Sequence, residues 1–228
     1  MSALDNARDA VNWNLIVGGP SRVHLRPEHL LDGPVVTVNR AIDVIDQGIG
    51  VDIAALADGP QNFDTFGLRH RWHPTMLLWV HMQPSIVMAT DEDGKKVRTA
   101  GPPMGFLWDA KLPASVGLRF MPSDDLLDLR TQKKSRCAFT TYCAFLGILR
   151  YAPRTVRILS MDMTGPWHPG LSEEECKASD EERLNIDRWA HERFHMDRAI
   201  ADARSRGIRV EEVVPAPSEE SLDGAVVH

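Results

Sequence analysis

The chain has 228 residues, 43% of them hydrophobic and 25% charged, and a net charge of −6 at neutral pH. That length suits one domain around one sizeable core, and the composition is ordinary for a soluble globular protein. The acidic balance excludes a broad basic field for non-specific nucleic-acid binding, and no apolar run reaches the roughly 18 residues that a membrane span needs.

The N-terminal segment MSALDNARDAVNWN has no apolar signal core. Cys137, Cys143 and Cys176 form no C-x-x-C pair, which fits a reducing compartment rather than a disulfide scaffold. A cytoplasmic location is the expectation.

The first element is the run Trp13 to Val17, a buried strand stopped by Gly18 and Gly19. RPEHLL has room for one helical turn. Val35 to Val38 is a second strand, followed by a short helix, and Asp52 to Leu56 is a third. Short apolar strands with polar loops between them indicate a parallel sheet buried on both faces. TMLLWVHM and PSIVMAT are further strands, and Asp93-Gly94 marks a hairpin turn. Residues 99–135, rich in Pro, Gly and charge, read as a long excursion. The whole span of about 64–135 is taken as an insertion or lid between two halves of the sheet.

Regularity returns where Thr140 or Thr141 can cap a helix running to about Tyr151, ended by Pro153. Thr155 to Met161 is a strand with Asp162 at its C-terminal edge, where open α/β sheets place ligand-binding residues. An acidic loop, HPGLSEEECKASDEE, follows. A long helix then spans roughly Glu181 to Arg206, closed by Gly207, before a last strand in IRVEEVVP and a loose tail over 216–228. The expected architecture is a single α/β domain over 1–228, doubly wound on a mostly parallel, Rossmann-like sheet.

Two stretches carry chemistry. In VGGPS, glycines let backbone N–H groups approach a phosphate and Ser21 adds a hydroxyl, although the same letters also make a plain sharp turn. In AHERFHMD, His191, Glu192 and His195 spell H-E-x-x-H, which on a helix gives two imidazoles for zinc and a glutamate base. The extended zinc pattern fails, because Arg198 and Ala201 stand where a glycine and a third histidine belong, and the spelling reads as coincidence. By helical phase, Trp189, Met196, Ala199, Ile200 and Ala203 face the sheet. Asp187, His191 and His195 form a stripe beside them, with Asp187 able to orient His191 as a general base and Glu192 pointing elsewhere. A solvated helix face with two ordinary histidines explains the same stripe. The acidic Asp91-Glu92-Asp93 belongs to the hairpin turn rather than to a metal site.

Taken in order, LIVGGPS, VTVNRA, ADGPQN, FTTYCAFLGILRYAPRTVRILSMDM and HERFHMDRAIADARSRGIRVEEVVP resemble the bacterial sialyltransferases that use CMP-sialic acid. They also resemble the broader superfamily of flagellin-modifying transferases, phage proteins and archaeal pterin diphosphokinases. The resemblance covers both ends of the sheet and leaves roughly 64–135 unaligned.

It implies that Gly18, Gly19, Pro20 and Ser21 lie against the nucleotide phosphate and ribose. Asn39, Asp58 or Asn62, Thr140, Thr141 and Asp162 complete the nucleotide site, and His191 is the general base, with His195 one turn away as its rival. The chain departs from the family where Tyr142 and Ser160 replace glycines. Two tyrosines near the leaving phosphate are replaced by MTGPWHPG, in which Trp167 or His168 can bond a phosphate.

The implied function is transfer of a sugar from a nucleotide-sugar to an acceptor hydroxyl without a metal cofactor. The acceptor class stays open among glycan, protein, lipid and modified nucleic acid, as does assembly of several copies of the chain. The alternatives are diphosphate transfer from ATP, with Mg2+ held by Asp58 and Asp162, a non-catalytic nucleotide-binding protein of phage type, and the zinc hydrolase. Arg69, His70, Arg71, Trp72 and His73 at one end of the insertion, with Lys133, Lys134 and Arg136 at the other, form either a basic rim or a solvated loop.

Overall fold

The computed structural model describes residues 9–57, 68–71, 73, 76–81, 84–90, 96–103, 117–120, 140–167, 170–184 and 187–217. Its strands are β1 (Asn12–Ile16), β2 (Val35–Val38), β3 (Ile53–Ala57), β4 (Leu77–His81), β5 (Pro84–Thr90), β6 (Lys96–Pro103), β7 (Gly117–Phe120), β8 (Thr155–Leu159) and β9 (Arg209–Val213). Its α-helices are α1 (Leu68–Arg71), α2 (Thr140–Leu149), α3 (Glu173–Leu184) and α4 (Arg188–Ser205). Short 3-10 helices cover Pro20–His24, Pro27–His29 and Asn39–Gln47.

Seven strands form one parallel sheet in the order β7-β4-β3-β2-β1-β8-β9. Strand β1 shows why both faces are covered. Trp13 and Leu15 point to one face and join the larger core, whereas Ile16 points to the other and joins a second core with Ala41, Val44 and Leu159. Asn14 shares that second face and is fully buried. Its amide donates to the Leu31 carbonyl at 2.9 Å and its oxygen accepts the Leu31 N–H at 2.8 Å, so the buried polar group is satisfied. The doubly wound α/β architecture expected from the strand pattern is the one observed.

The larger core sits under α2 and α4. Trp13, Trp79 and Tyr151 stack in it, with ring centroids 4.9 Å apart for Trp13–Tyr151 and 6.3 Å for Trp13–Trp79. Helix α2 lies close over this cluster because Gly147 has no side chain; a Cβ there would stand 2.9 Å from the Trp79 ring.

Three expectations need correction. Strands β4 and β7, both inside the supposed insertion, belong to the main sheet, and among the described strands the antiparallel pair β5–β6 stands apart from it. The hairpin turn at Asp93-Gly94 lies outside the described residues.

The acidic stretch after Gly170 is a helix, not a loop. Ser172 accepts the Glu175 N–H at 3.2 Å, and the Glu175 carboxylate accepts the Ser172 N–H at 2.7 Å. This reciprocal cap holds the start of α3 without an apolar face.

The long helix expected from Glu181 is instead two helices, and α4 starts only at Arg188. Asp187 is its N-cap, accepting the Ala190 N–H at 3.1 Å. One oxygen of its carboxylate thus caps the helix start. At the other end, Gly207 closes the helix with φ 83°, as its position predicts.

Candidate functional site

Strand β1 hydrogen-bonds β2 on one side and β8 on the other, so the chain reverses direction of winding beside it. In open α/β sheets the crevice at that point, outside the carboxyl ends of the strands, is where ligands bind. An open cleft of about 760 Å3, counted out to its mouth, lies there. Its floor is Gly18 and Gly19 after β1, Asn39 and Arg40 after β2, and Ser160 after β8. Thr140 and Thr141 enter from the first turn of α2, and Arg188, Trp189 and Glu192 from the first turns of α4.

The backbone around the cleft is held under strain. Among the described residues four non-glycines have positive φ, and three of them line the cleft: Asn39 at 50°, Ser160 at 60° and Met163 at 52°. Such conformations persist where the surroundings over-determine them, and they concentrate at binding sites. Ser160 keeps the backbone that a glycine would adopt more easily, while its fully buried hydroxyl has no hydrogen-bond partner among the described residues.

The glycine loop is stapled from behind. The Gly19 N–H donates to the Ser160 carbonyl at 3.1 Å. Asp162 accepts both the Ser21 N–H at 2.6 Å and the Ser21 hydroxyl at 2.7 Å. Arg22, pinned by a bidentate pair with Asp43, donates to the Gly18 and Gly19 carbonyls at 3.2 Å each. Gly19 can be nothing else, because a Cβ would fall on the Ser160 carbonyl oxygen and 2.6 Å from the Asp162 carboxylate.

These contacts redistribute the roles expected from the sequence. Gly18, Gly19, Asn39, Thr140, Thr141 and Trp167 come together in the cleft. Asn39 donates to the Thr140 hydroxyl at 3.4 Å, linking the end of β2 to the start of α2. Ser21 and Asp162 are engaged with each other, and neither they nor Pro20 lines the cleft; the pair braces the loop from behind. Asp58, Asn62 and His168 lie outside the described residues. From the proposed basic rim, Arg71 pairs with Asp46, its Nε 3.0 Å from the carboxylate.

The largest change concerns the H-E-x-x-H stretch. Neither His191 nor His195 lines the cleft, and Glu192 does. The two imidazoles meet edge to face at 4.6 Å, and His195, which is buried, packs against Tyr142 of α2 at 6.1 Å. Burial pushes the pKa of both histidines down; for His195 the charges of His191 and Arg198 add to this.

Glu192 is buried at 6% exposure. Desolvation pushes its pKa up, against a hydrogen bond from the Thr141 side chain and the charge of Arg188, which pull it down. The apolar stripe Met196, Ala199 and Ala203, extended back by one turn, lands on Glu192. That is the signal in the sequence that marks a carboxyl on the inner face of α4. Among the described residues no group of three His, Cys, Asp or Glu side chains is placed to hold a metal ion. Cys143 and Cys176 are buried free thiols.

The cleft thus combines Arg40, Arg188, two helix N-termini and one buried carboxyl. The first three favour an anion, and the last can exchange a proton with whatever the anion carries. No protein-family model, curated protein or solved structure matches the chain. Fold and cleft together define an α/β protein of Rossmann-like, doubly wound type with an open crevice at its strand edges. No helix among the described residues is long and apolar enough to cross a membrane.

Proposed function

We propose that the chain is a nucleotide-sugar-dependent transferase, with the donor phosphate over Gly18 and Gly19 and with Glu192, rather than a histidine, as the general base. The observation that carries this reading is the position of Glu192. It is a carboxyl held out of water at the inner end of a cleft whose other polar groups, Arg40, Arg188, Thr140 and Thr141, suit a phosphate. Burial raises the Glu192 pKa, which makes its carboxylate a stronger base than that of a solvated glutamate.

In the proposed step, Glu192 takes the proton of the acceptor hydroxyl as that oxygen bonds to the sugar carbon. The bond from that carbon to the phosphate oxygen breaks, and the nucleotide leaves with the electron pair. Arg40 and Arg188 offset the charge that develops on the departing phosphate.

The test is titration of the protein with CMP, UDP, GDP and ATP, with and without Mg2+, followed by donor turnover in Glu192→Gln. The reading expects metal-independent binding of at least one nucleotide and turnover lost in Glu192→Gln with binding retained. Binding of ATP alone and only with Mg2+ moves the assignment to diphosphate transfer, and no binding of any nucleotide removes it.

A further inference from the structure

One wall of the cleft is aromatic and unusually well fixed. Trp167 and Trp189 both line it, and both are half-buried. Their rings meet edge to face, with centroids 5.2 Å apart and planes at 82°. The Trp189 indole N–H donates to the Gly165 carbonyl at 3.2 Å, and the Arg188 guanidinium lies 5.8 Å over the Trp167 ring.

The loop that carries Trp167 is tied down at its base. The Gly165 N–H donates to Glu173 at 2.8 Å, Gly165 takes φ 82°, and Asp162 anchors the loop to Ser21. Glu173 is also ion-paired with Lys177 at 2.7 Å. Two indoles set in place before any ligand arrives forfeit little freedom on binding. Partly exposed rings with fixed faces offer what a planar ligand ring stacks on.

From this geometry we infer that the Trp167–Trp189 wall is the base subsite of the cleft, stacking the heteroaromatic ring of a nucleotide whose phosphate lies over Gly18 and Gly19. Arg188 joins the two halves, since it stacks on Trp167 and lies on the same helix face as Glu192. A ligand with a planar ring and an anionic group satisfies both ends, and a bare anion satisfies only one. The inference rests on the reading of the cleft as a nucleotide site.

Calorimetric titration of the full chain with UMP, CMP, AMP, GMP, pyrophosphate and glucose 1-phosphate tests it, in wild type and in Trp167→Ala and Trp167→Leu. Base stacking of ordinary strength predicts that both variants weaken the best-bound nucleotide by about tenfold or more. Pyrophosphate and glucose 1-phosphate should keep their affinity, and Trp167→Phe should restore most of the loss.

Nucleotide affinity unchanged in Trp167→Leu overturns the inference and leaves the phosphate reading standing. An equal loss for pyrophosphate, or for glucose 1-phosphate, overturns it as well, by making Trp167 a support for the loop or a platform for sugar. A wild-type protein that binds none of these phosphates removes the nucleotide reading, and the base subsite with it.

Discussion

Asp162 holds Ser21 by both its backbone N–H, at 2.6 Å, and its hydroxyl, at 2.7 Å, joining two loops 141 residues apart in the chain. This side chain ties the loop after β1 to the loop after β8, beyond the last backbone bond between them, Gly19 N–H to the Ser160 carbonyl. Hydrogen bonds to a charged group contribute about 1.5–3 kcal/mol. At about 2–4 °C per kcal/mol for a protein of this size, Asp162→Ala should lower the melting temperature by about 3–12 °C, and weaken phosphate binding by loosening the glycine loop. Melting curves with and without pyrophosphate check both halves. An unchanged melting temperature contradicts the latch.

The two glycines should respond differently. A Cβ at Gly19 overlaps the Ser160 carbonyl and the Asp162 carboxylate, whereas a Cβ at Gly18 has Val38 O as its nearest neighbour, at 4.0 Å. Gly19→Ala should destabilise by about 2 kcal/mol or more through forced backbone movement. Gly18→Ala should fold with near wild-type stability and lose affinity for the anion, since the added methyl stands where the ligand approaches. Equal stability losses at both positions would contradict this geometry.

Glu192 makes the stability of the fold depend on pH in a definite direction. Its pKa is raised in the fold, so between the ordinary and the raised value the folded state holds a proton that the unfolded chain has released. Stability from this group is complete below the ordinary glutamate range near 4.5 and is lost as pH rises through the raised folded value. Denaturant titrations at stepped pH should show this decline in wild type and a flatter profile in Glu192→Gln. A wild-type profile that rises over the same range, or an identical slope in the variant, would contradict a buried protonatable carboxyl.

The histidines work in the opposite sense. Burial depresses both imidazole pKa values below 6.5, so the fold resists their protonation. Stability they allow is present above 6.5 and is lost as pH falls through the depressed folded values. The double variant His191→Gln, His195→Gln should soften this acid limb while leaving nucleotide affinity and any turnover in place, because neither residue lines the cleft. Loss of turnover with binding intact would return the role of base to a histidine.

The main features of the sheet were legible because β1, β2, β3 and β8 are short apolar runs closed by turn residues, and both faces are covered. The glycine loop was legible as a turn closing an apolar strand, whereas Asn39 and the Thr140-Thr141 pair were named as site residues only through the resemblance, and the fold brings all of them to one cleft. Helix α3 was not, since EEECKASDEERL has no apolar stripe; only Ser172 and Glu175, three residues apart, announce it. Strand β7 hides in a segment rich in Pro and Gly, and its pairing with β4 is a long-range contact that no local pattern encodes.

Glu192 was misplaced for a physical reason. The eye follows the two histidines of AHERFHMD, but the helix starts at Arg188, and the stripe that includes Met196 and Ala199 is buried. The charged member of that stripe is the glutamate. Arg22, Arg40 and Arg188 carry no motif, and it is the starts of two 3-10 helices and of α4 that bring them to the glycines and the cleft.

The central claim is that the crevice beside β1 binds a nucleotide phosphate. Thermal denaturation of wild type and Gly18→Val with a saturating nucleotide, CMP, UDP, GDP or ATP in turn, tests it most directly. At about 100 times the dissociation constant a ligand adds about 2.7 kcal/mol, which is a rise of several degrees in melting temperature for wild type. The account predicts that rise with at least one nucleotide and its absence in a folded Gly18→Val protein. No rise with any of the four, or an equal rise in both proteins, would contradict it.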